Sequence, residues 1–379
     1  MSLVSALVSN PRSHLMAQAP DHPVLYFAPS VLQGTARRFL SGFPGLVTYA
    51  VKANDAVEVL ENLMAAGVET FDVASPFEMD RVRALMPSAV LHYNNPVRSE
   101  CEIATAISHG VSSYSVDCMS ELAKLVRGGV PKTAEVSVRL RLPVKAAAYD
   151  FGAKFGADPE VAVELLKAVA DAGFVPAMTF HPGTQCADPS AWTSYIEVCG
   201  RVAKSAGVRL RRLNVGGGYA AHRNGDAPDL EAIFEAIQTT AVEVFAEDCP
   251  ELICEPGRAM VAEAFSLATR VKALREDGAV FLNDGIYGGL AELPVLGITD
   301  RIEAISPVSE RVAAPIEHVV FGPTCDSLDR LPGLVSLPGD LDEGDWLLWH
   351  GLGAYSTATV TRFNGYGALQ IVTAEYLHG

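Results

Sequence analysis

The sequence predicts an α/β protein, a (β/α)8 TIM barrel followed by a C-terminal all-β domain. Three observations carry this. Eight short β-branched or apolar runs alternate with helical patterns between residues 46 and 256. Several of those runs end in polar or glycine residues unusual for a buried strand. After about residue 263 the helical patterns fade and turn-rich short strands take over. Strands alternating with helices imply a parallel sheet, and eight of them suggest a closed barrel.

The eight runs are 46–52 (LVTYAVK), 69–74 (ETFDVA), 90–94 (VLHYN), 112–117 (SSYSVD), 136–142 (VSVRLRL), 175–181 (VPAMTFH), 211–216 (RRLNVG) and 251–256 (ELICEP). Among the intervening helices, 57–66 aligns Val59, Leu60, Leu63 and Met64 on one stripe, with Gly67 as its stop. Ser75 is followed by Pro76 and by Glu78 three residues on, and Ser99 is followed by Glu102. Both pairs have capping-box spacing. Further strands are expected at 265–274, 279–283, 301–306, 317–321, 345–349 and 369–376. The division is thus a barrel over 30–262 and a β-domain over 263–379, which residues 1–29 can join.

Composition narrows the class. The length of 379 residues fits one large domain and a smaller one. Hydrophobic residues at 49% and charged residues at 20% make an ordinary globular mixture. No run approaches the roughly 20 apolar residues that span a bilayer, so no membrane association is expected. The opening MSLVSALVSNPRSHLM lacks the basic start of a secretory signal, and the expected location is the cytoplasm. A net charge of −16 argues against nucleic acid as a partner. It mildly favours cationic ligands, although solubility alone explains it. The seven cysteines are odd in number and include no C-x-x-C, so neither a disulfide framework nor a metal site is expected. Most read as inert buried thiols.

Barrel enzymes build their sites at the C-terminal ends of the strands. Here the first run ends in Lys52 and the second contains Asp72. The sixth ends in His181-Pro-Gly, the seventh runs into Gly216-Gly217-Gly218, and the eighth into Glu255-Pro-Gly-Arg258. A partly desolvated lysine has a lowered pKa and forms Schiff bases, though a lysine at a strand end also simply reaches solvent. Three glycines expose backbone N–H groups to a phosphate, or make a tight turn. Arg258 offers a two-pronged phosphate contact. Glu255 suits a protonated ring nitrogen. Alternatively, these two side chains form a local salt bridge. His181 lies against a planar cofactor or rests in the core. For Glu78 the helix cap is a sufficient explanation.

Together these segments resemble the fold-type III decarboxylases that use pyridoxal 5'-phosphate (PLP), the family of ornithine, lysine and diaminopimelate decarboxylases. The matching segments are YAVKAN (49–54), FDVAS (71–75), VRLRL (138–142), FHPGTQ (180–185), NVGGGY (214–219), CEPGR (254–258), NDGIYGG (283–289), GPTCDSLDR (322–330) and GAY (353–355). The resemblance implies decarboxylation of a basic amino acid, of ornithine or lysine type, to a diamine through a Lys52 Schiff base. It implies Glu255 at the pyridine nitrogen and His181 stacked on the ring. Thr184, Gly217, Gly218, Arg258 and Tyr355 would bind the phosphate, Gly257 would also contact the cofactor, and Asp72, Glu78 and Arg139 would form a supporting network. It further implies Cys325 as the group that reprotonates the substrate carbon, and Asp326, with Tyr287 nearby, as the site of the distal amine. In the family, Cys325 and Asp326 would come from the neighbouring subunit of a homodimer, with Lys154 and Asp329 bridging the interface. One departure stands out. The stretch LAELPVLGITD (290–300) has Leu296 about where polyamine-forming members carry an acid, leaving Glu292 or Asp300 as substitutes. Diaminopimelate, a larger siderophore-type intermediate, or a fold-type III racemase activity therefore stay open.

Overall fold

The computed structural model describes residues 7–142 and 154–378. Strand β1 is Val24–Phe27. Eight further strands follow: β2 Leu46–Ala50, β3 Thr70–Asp72, β4 Val90–Tyr93, β5 Ser113–Val116, β6 Glu135–Leu140, β7 Val175–Phe180, β8 Arg212–Asn214 and β9 Glu251–Cys254. Each pairs in parallel with the next, and β2 pairs with β9 through Leu46–Ile253 and Val47–Cys254, which closes the barrel. Parallel strands covered on both faces bury nearly every residue. That is why Tyr49, Phe71, Leu91, Val136 and Val138 are all inaccessible.

The helices between the strands follow from local chemistry. Val57–Ala65 buries Val59, Leu60 and Leu63 and ends before Gly67, whose φ is +104°. Glu100–Ser108 has the full capping box expected for Ser99 and Glu102. The helix Pro76–Leu85 departs from expectation. Ser75 Oγ accepts the Glu78 N–H, but the Glu78 carboxylate reaches one residue further back, to the N–H of Ala74 at 2.7 Å. The helix cap is therefore not the whole account of Glu78. Lys52 also lies slightly beyond its expected strand, in the 3-10 turn Val51–Ala53.

The chain divides into two compact units. One contains Ala36–Ala220 and Pro228–Met260, and with them the barrel. The other contains the segment ending at Thr35, Ala221–Ala227 and the segment starting at Val261. Its strands are β1 together with β10 Phe265–Leu274, β11 Val280–Leu282, β12 Ile302–Ile305, β13 Pro315–His318, β14 Val320–Phe321, β15 Val335–Pro338, β16 Trp346–His350 and β17 Gln370–Thr373. The main sheet runs β12-β16-β10-β1-β17. It is antiparallel except that β1 pairs in parallel with β17. Val24, Tyr26, Ala268, Trp346, Leu348 and Val372 fill its core.

The stretch 317–321, read from sequence as one strand, is two. β13 pairs antiparallel with β15, while β14 pairs in parallel with β11. Among the described residues, no helix is long and apolar enough to cross a membrane. All seven cysteines are free thiols, and only Cys186, Cys199 and Cys254 are buried. The expectation that most of them are core residues is corrected accordingly.

Candidate active site

Strand register sets the site. Side chains two apart on a strand share a face. Arg139, Thr179 and Asn214 are in register across β6, β7 and β8. Asp72 ends β3, while Asn94, His181 and Glu255 immediately follow the strands β4, β7 and β9. A cavity of about 200 Å³ is lined by Lys52, Asp72, Asn94, Arg139, Thr179, His181 and Glu255, with Lys154 and Phe155 also in its wall. Five residues singled out in the sequence, from five strands, thus meet around one space at the C-terminal end of the barrel.

The electrostatics of these groups are mutual. Burial raises the Asp72 pKa well above the carboxylate range, and the Glu255 charge adds to this, while Lys52 opposes it. Burial also raises Glu78, against the opposing Ala74 N–H bond and Lys52. Both carboxylates therefore feel the Lys52 charge. Burial holds His181 well below its usual range, and Lys52 and Arg139 push it the same way, so its imidazole is neutral. The Gly183 N–H donates to His181 Nδ1 at 3.2 Å. A neutral ring accepting at Nδ1 carries its proton on Nε2. Arg139 is lowered by burial, opposed first by Glu255, and its guanidinium lies 5.2 Å from the Phe155 ring centre.

The glycine loop can be built only from glycine. Gly216 and Gly218 have φ of +69° and +87°. A Cβ on Gly216 would stand 2.2 Å from Phe180 O, one on Gly217 2.6 Å from Glu255 O, and one on Gly218 2.8 Å from Gly183 O. Gly257 abuts Ala50 and Ala53, where a Cβ would come within 3.3 and 3.0 Å of their methyl carbons. Arg258 opens the single-turn helix Arg258–Val261, and Thr184 lies in the loop after β7. These residues belong to the same unit as the cavity.

Two functional candidates were not visible in the sequence. Asn94 and Asn214 both donate their side-chain N–H to Glu255 Oε1. Asparagines at strand ends have no motif, and only the register could have exposed them.

Tyr287, Cys325, Asp326 and Tyr355 lie in the other unit. There Tyr287 OH donates to Asp326 Oδ2 at 2.6 Å, a bond that lowers the Asp326 pKa. Cys325 is exposed, and its N–H donates to Asn364 Oδ1. Tyr355 has a left-handed φ of +62°. Asp329 is 1% exposed and accepts from the N–H groups of Ile286 and Thr324 and from the Thr324 hydroxyl. It organises its own loop. Of the proposed substitutes for the missing acid, Asp300 is engaged locally. It accepts from Gly225 N–H, and its own N–H donates to Asn224 Oδ1. Leu293–Leu296 forms a helical turn behind Glu292.

A lysine amine, a neutral imidazole and a carboxylate around one cavity, with a glycine cradle in the same unit, point to a pyridoxal-binding barrel. Asn94 Oδ1 is a buried acceptor with no partner among the described residues, so the wall still has hydrogen-bonding capacity for a polar occupant. The donor set and the cradle fit PLP. Comparison with known proteins agrees. Residues 32–262 match the model of the pyridoxal-dependent decarboxylase family, pyridoxal binding domain. The chain is 32% identical to an ornithine decarboxylase of Panagrellus redivivus, over 84% of this chain and 77% of that one. It is also 32% identical to a lysine/ornithine decarboxylase of Selenomonas ruminantium, over 84% and 81%. Among solved structures it is similar to a lysine decarboxylase of Selenomonas ruminantium, with TM-score 0.82, 29% identity and 97% of both chains covered. Two further matched structures contain PLP. The chain belongs to the pyridoxal-dependent decarboxylases. It is a PLP-dependent amino acid decarboxylase, with pyridoxal phosphate as its cofactor.

Proposed function

We propose that this enzyme removes the α-carboxylate of a basic amino acid, ornithine or lysine, releasing carbon dioxide and a diamine. The observation that carries the reading is the meeting of Lys52, Asp72, Arg139, His181 and Glu255 around one cavity. Bound PLP supplies an electron sink for the pair left behind when carbon dioxide departs. Lys52 Nζ would hold the cofactor and give way to the substrate amine. Glu255 faces the ring nitrogen and keeps a proton there. The flat, uncharged His181 ring would stack against the cofactor. Thr184, Gly217, Gly218, Arg258 and Tyr355 would hold the phosphate, Gly257 would lie against the cofactor, and Asp72, Glu78 and Arg139 would fix Lys52 and the ring.

The choice of a basic substrate rests on Asp326. Its pKa is lowered by the Tyr287 bond, so it presents a negative charge to a distal ammonium. Asp300 is committed to its own loop. Relatives of the chain are named ornithine and lysine/ornithine decarboxylases, and a matched Vibrio vulnificus structure of the latter holds putrescine. Cys325 delivers the proton that replaces the lost carboxylate. In this reading Cys325 and Asp326 serve the neighbouring subunit of a homodimer.

The test is carbon dioxide release with product identification on ornithine, lysine, arginine and diaminopimelate. Turnover of ornithine or lysine supports the reading, and failure on both refutes it. Mixing Lys52→Ala with Cys325→Ala subunits tests the shared site. Random pairing of two inactive parents should restore about a quarter of wild-type activity. No recovery would place each site within one chain.

A further inference from the structure

We propose that Asn94 and Asn214 are positioning residues that aim Glu255 at the cofactor's ring nitrogen, an inference that rests on the reading of Glu255 given above. Both amides converge on one oxygen, Oε1. Glu255 also forms part of the cavity wall. One oxygen is thus tethered twice, which fixes how the carboxylate is turned within the cavity wall.

The tethers are themselves fixed. Asn214 Oδ1 accepts the Gly216 N–H at 2.9 Å, and an N–H can only be accepted by the amide oxygen. Asn214 must therefore turn its NH2 toward Glu255. The Glu255 N–H donates to Gly216 O at 2.8 Å, closing a ring through Asn214, Gly216 and Glu255. Asn94 is held at both ends of its peptide. Its N–H donates to Asp72 Oδ1 at 3.3 Å, and its carbonyl accepts from Ser115 Oγ at 2.6 Å. Asn94 and Asn214 are only 6% and 3% exposed, so water does not compete for either bond. Both donors are also neutral. A lysine or arginine in their place would satisfy the same oxygen but would offset the negative charge that the ring nitrogen needs nearby.

The experiment is a double-mutant cycle on holoenzyme, read by kcat, KM and the pH titration of the bound cofactor's absorbance. Asn94→Ala should lower kcat about ten-fold with KM nearly unchanged, and should move the titration by about one pH unit, the size expected for one lost hydrogen bond to a charged group. Asn94→Asp keeps the volume and replaces the donor with an acceptor, so its loss should be larger. It also serves if the alanine variant folds poorly. In a Glu255→Ala background neither Asn94 substitution should have a further effect, because a positioning residue has nothing left to position. Additive losses in that background, or an unmoved titration in Asn94→Ala and Asn94→Asp, would overturn the proposal. If Glu255→Ala itself leaves the titration unchanged, the underlying assignment of Glu255 fails instead.

Discussion

The two ends of the barrel interior contain the same kinds of side chain in opposite arrangements. At the N-terminal end, Glu135 begins β6, is 5% exposed and takes a hydrogen bond from Ser113 Oγ at 2.9 Å. Arg212, at the start of β8, lies 3.8 Å from it and also pairs with Glu251 at 2.9 Å. Carboxylate, hydroxyl and guanidinium are turned on one another at this floor of the barrel, with Glu135 Oε2 facing Arg212 at ion-pair distance and taking no hydrogen bond. At the C-terminal end, Glu255 receives two neutral amides on one oxygen and forms part of a cavity wall. A polar group turned on its buried neighbours contributes to the fold. One that lines a cavity is available to a ligand.

The largest expected effect is at Lys52. Lys52→Ala should abolish the absorbance of bound PLP near ~420 nm. It should also cut carbon dioxide release by at least about 10³-fold, the scale of losing a covalent catalytic group. Cys325→Ala comes next. It should reduce turnover or divert product by about 10²-fold with PLP affinity essentially unchanged, as measured by product chromatography and cofactor titration. Equal loss of cofactor would contradict a role in proton delivery.

At the floor the effect should fall on stability instead. Removing a buried partner leaves others unsatisfied, so Glu135→Ala should cost about 1–3 kcal/mol with kcat within two-fold of wild type, checked by denaturant melts and steady-state kinetics. A large loss of kcat would erase the contrast between the two ends. The smallest effect is the pH dependence of Glu135→Gln. Burial raises the folded pKa of Glu135 above its unfolded value, so the folded state holds this proton more tightly. Stability contributed by the proton is full below the unfolded pKa and lost as pH rises through the folded one. Relative to wild type, the Gln variant should gain in melting temperature as pH rises above the ordinary carboxylate range. A difference independent of pH would mean that Glu135 is not protonated preferentially in the fold.

The barrel strands were legible because strands buried on both faces are written as apolar runs, and their ends stood out where Lys52, His181 and Glu255 broke those runs. The remainder depended on register. Asn94 and Asn214 are ordinary residues in the text, and only the pairing of six strands brings them to one carboxylate. β1, VLYF between two prolines, is four buried residues with no alternation to mark its partners. β15, VSLP, was missed for the same brevity. Glu78 misled in the other direction, since its helix-cap spacing explained it before its carboxylate was seen to feel the Lys52 charge.

The placement of β1 has a consequence for how the chain is made. Val24 pairs with Ala268 on one side and Gln370 on the other. The ribosome therefore releases this strand before the barrel, yet its neighbours in the sheet, β10 and β17, appear only after the barrel is made. While the barrel is being made, Val24–Phe27 is an apolar segment whose sheet partners do not yet exist, whereas the eight strands between can close on one another. Pairings so distant in sequence form slowly and leave edges exposed to association. The N-terminal strand is thus the part of this enzyme with most to gain from a chaperone during translation.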